Sequence, residues 1–206
     1  MDALFSPAFV PYLLRWAHVI FGIIWIGHLY FFNLVNVPFQ GGLDKELKPK
    51  VNPALLLRAF YWFRWGAMYT FIFGWTLFIW TYLAPEHLIT NPEGGMSHRA
   101  MWIMFGGLLG TIMWFNVWFV IWPRQKLILG GMAAGKPHPD APKMAATAGK
   151  ASRFNTYASG PMLFGMIAPT HLAALNLPVL LVVTIIGVGF WFGMIKRSFK
   201  IKTTVE

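Results

Sequence analysis

The chain has 206 residues, of which 57% are hydrophobic and only 12% charged, whereas a soluble domain carries about 25% charged residues. Its 17 Lys and Arg against seven Asp and Glu give a net charge of +10, but these cations sit between apolar runs and form no basic face, which excludes a nucleic-acid binder. The absence of cysteine excludes disulfides, Fe–S clusters, thiolate zinc, a Cys nucleophile and covalent c-type haem.

A helix needs about 20 apolar residues to cross a hydrocarbon core of roughly 30 Å. Five stretches meet this requirement. The first covers 10–34; it is too long for a cleavable signal peptide and lacks a basic start and a small-residue cleavage site. The second covers 55–83, long enough to tilt. The third covers 99–122. The fourth, 154–172, is weaker and is interrupted by Pro161 and Pro169, and the fifth covers 177–195. Residues 40–52 and 130–150 read as loops, the latter rich in Gly, Ala, Pro and Lys. No internal repeat or second soluble domain is visible. The expected fold is therefore an all-α integral membrane bundle of about five transmembrane helices, with residues 1–206 as one domain embedded in the lipid bilayer.

Charge gives the orientation. Lys45, Lys48 and Lys50 precede the second span, and Arg124, Lys126, Lys136, Lys143, Lys150 and Arg153 follow the third. The tail carries Lys196, Arg197, Lys200 and Lys202, while the other side has Arg99, Glu86 and Glu93. The positive-inside rule puts the N-terminus outside and the C-terminus in the cytoplasm. Gly106 and Gly110, like Gly189 and Gly193, have the spacing that permits close helix approach. Trp62, Trp65, Trp75, Trp80, Trp102, Trp114, Trp118 and Trp122 lie mostly near span ends, as interfacial belts require.

Six histidines carry the sharpest chemical signal: His18, His28, His87, His98, His138 and His171. His87 and His138 fall in loops. His18 lies eight residues into the first span, roughly 12 Å deep at 1.5 Å per residue. His98 and His171 sit at the outer ends of the third and fourth spans. Three helices thus bring histidines to the outer half of the membrane, an arrangement suited to haem b held between helices. Gly22, one turn after His18, leaves room for a porphyrin edge, and Arg15 can reach a propionate. The plainer alternative is that each histidine bonds a neighbouring helix and only aids packing. His28 lies in the inner half with no histidine at its depth, which favours packing there.

Copper is the second reading. Met96, His98, Met101 and Met104 crowd the outer end of the third span, and thioether with imidazole suits Cu(I); soft packing is the simpler account. Arg58 and Arg64 lie on the second span with no acid inside any span. Arg64 either snorkels to headgroups or joins Asn116, Arg153, Asn155 and Tyr157 in an anion site at the inner mouth. A phosphate loop, G-x-S-x-G and H-E-x-x-H are all absent.

Four blocks resemble a known family. They are Arg15-Trp16-Ala17-His18-Val19-Ile20 with Trp25-Ile26-Gly27; Trp62-Phe63-Arg64-Trp65; residues 107–113 with 116–125; and Ser152-Arg153-Phe154-Asn155-Thr156-Tyr157 with residues 161–164 and His171. In this order they resemble the membrane domain of PuuD-type urate hydroxylases, the urate oxidase N-terminal-like family. The resemblance implies a b-haem-linked redox role in a bacterial inner membrane, with His18 and His171 at the matching positions. His98 or Met104 would be substitute ligands. It also implies electron transfer to a separate cytochrome c or other acceptor, because the long form's cytochrome c part is missing. Met104, Phe154 and Gly66 stand where the long form has His, His and Glu. The competing expectation is a non-catalytic accessory subunit of a larger membrane complex or a homo-oligomer, and the third is a copper-handling protein.

Overall fold

A computed structural model describes residues 8–83, 89–91, 95–172 and 175–201. Glu86, His87, Glu93 and Lys202, used above, lie outside the described residues. Among the described residues the fold is all-helical, with five long helices and no strand beyond a single bridge between Thr90 and Met96. We number them α1 (Phe9–Gly42), α2 (Lys48–Phe78), α3 (His98–Ala133), α4 (Ala141–Ile167) and α5 (Leu177–Ser198). Among the described residues three of them, α1, α3 and α5, are long and apolar enough to cross a membrane. The outer faces fit lipid. Tyr12, Trp16 and Ile23 on α1, and Ile185, Ile186 and Phe190 on α5, are all more than half exposed.

Local chemistry sets the helix ends. Ser97 Oγ accepts from Ala100 N at 3.1 Å and starts α3, and Asn176 Oδ1 accepts from Val179 N at 3.0 Å and starts α5. Gly135, with φ +65°, turns the chain back after α3.

The helices run past the expected spans, so both expected loops shrink. Instead of ending near 34, α1 continues to Gly42. Its last turns are anchored by a reciprocal amide pair, in which Gln40 Nε2 donates to Asn52 Oδ1 at 2.7 Å and Asn52 Nδ2 to Gln40 Oε1 at 3.0 Å. The loop expected over 40–52 is only 43–47. Likewise the segment 130–150 is mostly helix: α3 continues to Ala133, and α4 begins at Ala141. The Ala-rich start of α4 is strong helix-forming sequence, and Ala148 is buried in the core. Pro161 does not split the fourth helix; α4 runs unbroken to Ile167 and ends in a 3-10 turn, Ala168–Thr170.

Three π turns interrupt the α geometry. They are Phe31–Asn36 within α1, Ile79–Leu83 at the end of α2 and Asn116–Ile121 within α3. The core lies beside the first and third. Phe32 stacks on Phe60 with centroids 4.4 Å apart and meets Phe63 edge-on at 5.2 Å, while Trp122 reaches Phe60 at 6.4 Å. Thus α1, α2 and α3 share one aromatic core. Trp102 departs from the interfacial expectation: it is fully buried, its ring 5.6 Å from Phe164.

The close helix crossings use different glycines from those the spacing suggested. Gly106 does meet α4, where an added Cβ would lie 3.1 Å from Gly165 C and Met162 O. Gly110 meets only methionine side chains at 4.0 Å, and Gly189 and Gly193 have nothing within 4 Å. The crossing of α4 and α5 is made by Gly160 and Gly187, with Gly187 receiving the Pro161 ring. The reason is the proline: its ring projects where an ordinary residue has only an N–H, and only a glycine opposite leaves it space.

Candidate functional site

One end of the bundle holds His18, on α1. This half-buried imidazole lies across α2, where Nδ1 bonds the Thr70 carbonyl at 2.9 Å. A carbonyl only accepts, so Nδ1 carries the proton and Nε2 is left with a bare lone pair. Gly74 makes this position available: a Cβ there would lie 2.7 Å from His18 Cε1 and 2.9 Å from Nδ1. A helix-packing histidine would make the same bond. Nε2 has no hydrogen-bond partner among the described residues, so it is the ring atom available to a ligand. Nearby, Tyr82 in the π turn after α2 is within Coulombic reach of both Arg15 and Arg99. Arg15 from α1 and Arg99 from α3 thus both lie towards the Tyr82 end of α2.

The other expected ligands are arranged differently. His98 Nδ1 accepts from Leu175 N at 3.4 Å, so its proton sits on Nε2, the opposite tautomer to His18. This bond ties the start of α3 to the connection between α4 and α5. His171 is exposed on that connection, with its backbone N bonded to the Ala168 carbonyl at 3.0 Å. Met104 is exposed on α3. No hydrogen bond among the described residues joins His18 to His98 or His171, and no group of three or more His, Cys, Asp or Glu residues clusters there in a metal-binding arrangement. A Cβ on Gly22 would meet only Thr70 Cγ2, at 3.9 Å, so this glycine leaves a methyl-sized space facing α2.

The second group of expected residues lies in the other half of the bundle, where three of the sequence blocks converge. The Arg64 guanidinium sits 4.0 Å over the Trp122 ring and 5.7 Å from that of Tyr61. Trp118 Nε1 donates to the Arg64 carbonyl at 3.1 Å, and Trp65 meets Trp118 edge-on at 5.6 Å. The ring faces supply the stabilisation an acid would otherwise give, about 0.5–2 kcal/mol per contact. Arg64 Nε is buried with no hydrogen-bond partner among the described residues. Asn116 Nδ2 donates to Asn155 Oδ1 at 2.8 Å, and Asn155 Nδ2 to the Met113 carbonyl at 2.9 Å. Asn155 is fully buried, and both ends of its amide are engaged. Arg153 is half-buried.

These asparagines belong to a polar seam along α4 that sequence reasoning missed. Asn33 Nδ2 donates to Ser152 Oγ at 2.9 Å and to the Leu29 carbonyl at 3.0 Å. Tyr30 OH lies 3.0 Å from Ser159 Oγ, which donates to the Thr156 carbonyl at 2.7 Å. Ser152, Asn155, Thr156 and Ser159 recur at helical spacing, a signal visible in the sequence. Their partners Asn33 and Asn116 are aimed by π turns, which the sequence does not display. Replacing Asn155 by Leu is expected to cost about 2 kcal/mol, because it strands the Asn116 side-chain amide and removes one of two bonds to the Met113 carbonyl. A fall in the SDS-unfolding midpoint measures it; an unchanged midpoint would show that the seam bears no load.

A family model described as urate oxidase N-terminal matches residues 88–205. The matched range contains α3, α4 and α5, more than half of the chain. No curated protein and no solved structure matches the chain.

Proposed function

The chain belongs to the urate oxidase N-terminal family, and from that premise we propose that it is an integral membrane redox protein that binds haem b and passes electrons to a separate acceptor. Five helices cross the membrane in this reading, with the N-terminus outside and the C-terminus cytoplasmic, in a bacterial inner membrane. One observation carries the proposal: His18 is held by Thr70 and Gly74 with its proton on Nδ1, leaving Nε2 free to ligate iron. His18 Nε2 is the proposed first ligand. His171 is the proposed second ligand, with His98 or Met104 as substitutes. Arg15 and Arg99 would neutralise the propionates at the outer end. Bound there, haem b supplies one-electron chemistry. The proposed acceptor is a cytochrome c or another carrier.

Urate is the proposed substrate. Its anionic heterocycle suits a cation set among aromatic rings, which is the environment of Arg64 beside Trp122, with Asn116, Arg153 and Asn155 in the same half of the bundle. A reduced-minus-oxidised visible spectrum of the purified protein tests the haem reading. Sharp b-type bands that vanish in His18→Ala and fall in His171→Ala are expected. A colourless protein after haem supplementation overturns it. Urate consumption by membranes, with and without added cytochrome c, tests the substrate.

A second reading, a non-catalytic accessory subunit, is favoured by one observation. Gly189 and Gly193 leave a small-residue stripe on α5 that touches nothing in this chain. Co-purifying partners with no redox signal would select it.

A further inference from the structure

A groove of about 500 Å³ runs between α1 and α2, in the half of the bundle away from His18. Its walls are apolar, with Gly27, Phe31, Leu55, Ala59 and Trp62 among them, and it contains two polar side chains, His28 and Arg58. Leu55 and Trp62 are about half exposed, so the groove opens outward, towards lipid in a membrane. Pockets of this size bury a small organic ligand, and their few polar groups set its orientation.

The two polar groups are complementary in kind. His28 Nδ1 donates to the Ile24 carbonyl at 2.7 Å, so its proton is fixed there and Nε2 is an acceptor. Arg58 spends one Nη1 donor on the Ala54 carbonyl and keeps further N–H donors free. One acceptor and one donor therefore share an apolar trough. A phosphate would use only donors and would face the His28 lone pair. A quinol headgroup donates one hydroxyl to His28, and the oxygen of its other hydroxyl accepts from Arg58, with a flat apolar ring between and an apolar tail for the lipid.

We infer that this groove binds the headgroup of a lipid-phase quinol, oriented by His28 and Arg58. The inference is one of binding and stands on the groove alone, whatever His18 holds.

The test uses the full chain in phosphatidylcholine nanodiscs with a short-tail azidoquinol under argon, and maps the photolabelled peptides by mass spectrometry. Saturable labelling within 23–31 or 55–62, competed by decylubiquinol, is expected. His28→Leu and Arg58→Met should each weaken binding about tenfold, the effect of losing one hydrogen bond of about 1.4 kcal/mol. Gly27→Leu should abolish binding, because a Cβ at Gly27 meets nothing and would point into open space. This variant keeps both polar groups and disturbs no packing contact. Absence of saturable labelling overturns the inference. So does displacement by phosphatidylglycerol that depends on Arg58 but not on His28, which would make the groove an anionic headgroup site. Neither readout requires haem, so failure here is distinguishable from failure of the redox reading.

Discussion

Gly74→Val is expected to reduce haem occupancy at least tenfold, approaching the effect of His18→Ala. Even the first added carbon would lie 2.7 Å from His18 Cε1, closer than real side-chain contacts allow. Because the imidazole must leave the Thr70 carbonyl, it loses both its place and its fixed tautomer. Losing the bond that orients a ligating histidine typically costs 10–100-fold in affinity. Gly22→Ala is the control, since its methyl would make ordinary contact with Thr70 at 3.9 Å. The measurement is the haem-to-protein ratio of monodisperse protein by pyridine haemochrome. Full occupancy in folded Gly74→Val would show that His18 is not the ligand.

Gly187→Val should separate α4 from α5 and cost about 3 kcal/mol, at the upper end for overpacking. Its Cβ would lie 2.8 Å from Pro161 Cδ and 2.9 Å from Pro161 N. Those atoms belong to the backbone and its ring, so no rotamer change relieves the clash. Gly189→Val and Gly193→Val, on the same helix, meet no atom within 4 Å and should leave the monomer unaffected. Thermal melts of the three variants in detergent decide the matter. Equal melting of all three would mean that the α4–α5 crossing adds nothing to stability.

Hydropathy located all five helices, although among the described residues only α1, α3 and α5 carry an apolar run long enough to cross a membrane. Their ends were less legible. The Gln40–Asn52 amide pair extends α1 through residues that read as loop, and partners 12 positions apart leave no local pattern. Residues 130–150 read as a loop because Ala, Gly, Pro and Lys suit either state; burial of Ala148 decides for helix from Ala141 onward. In the site, Arg64, Asn116 and Asn155 were visible as polar residues in apolar stretches. What each one touches was not. The tautomers were wholly hidden: His18 and His28 share one form, and His98 and His138 the other, set by neighbours that sequence spacing does not reveal. The glycines behaved similarly. Motif spacing drew attention to Gly189 and Gly193, whereas Gly187 faces the proline.

A π turn is an α-helix holding one residue more than its hydrogen-bond pattern needs, so the faces on either side keep their directions despite the extra residue. That makes Phe31–Asn36 and Asn116–Ile121 length reserves. Removing Val35 or Phe119, both exposed, would let the turn relax to α while Gln40 still faces Asn52 and Trp122 still faces Arg64. Removing one residue from the regular part of α1, such as Ile20, would rotate everything beyond it by about 100°, turning the buried face outward. The helices can therefore change length by one residue at these turns without changing partners.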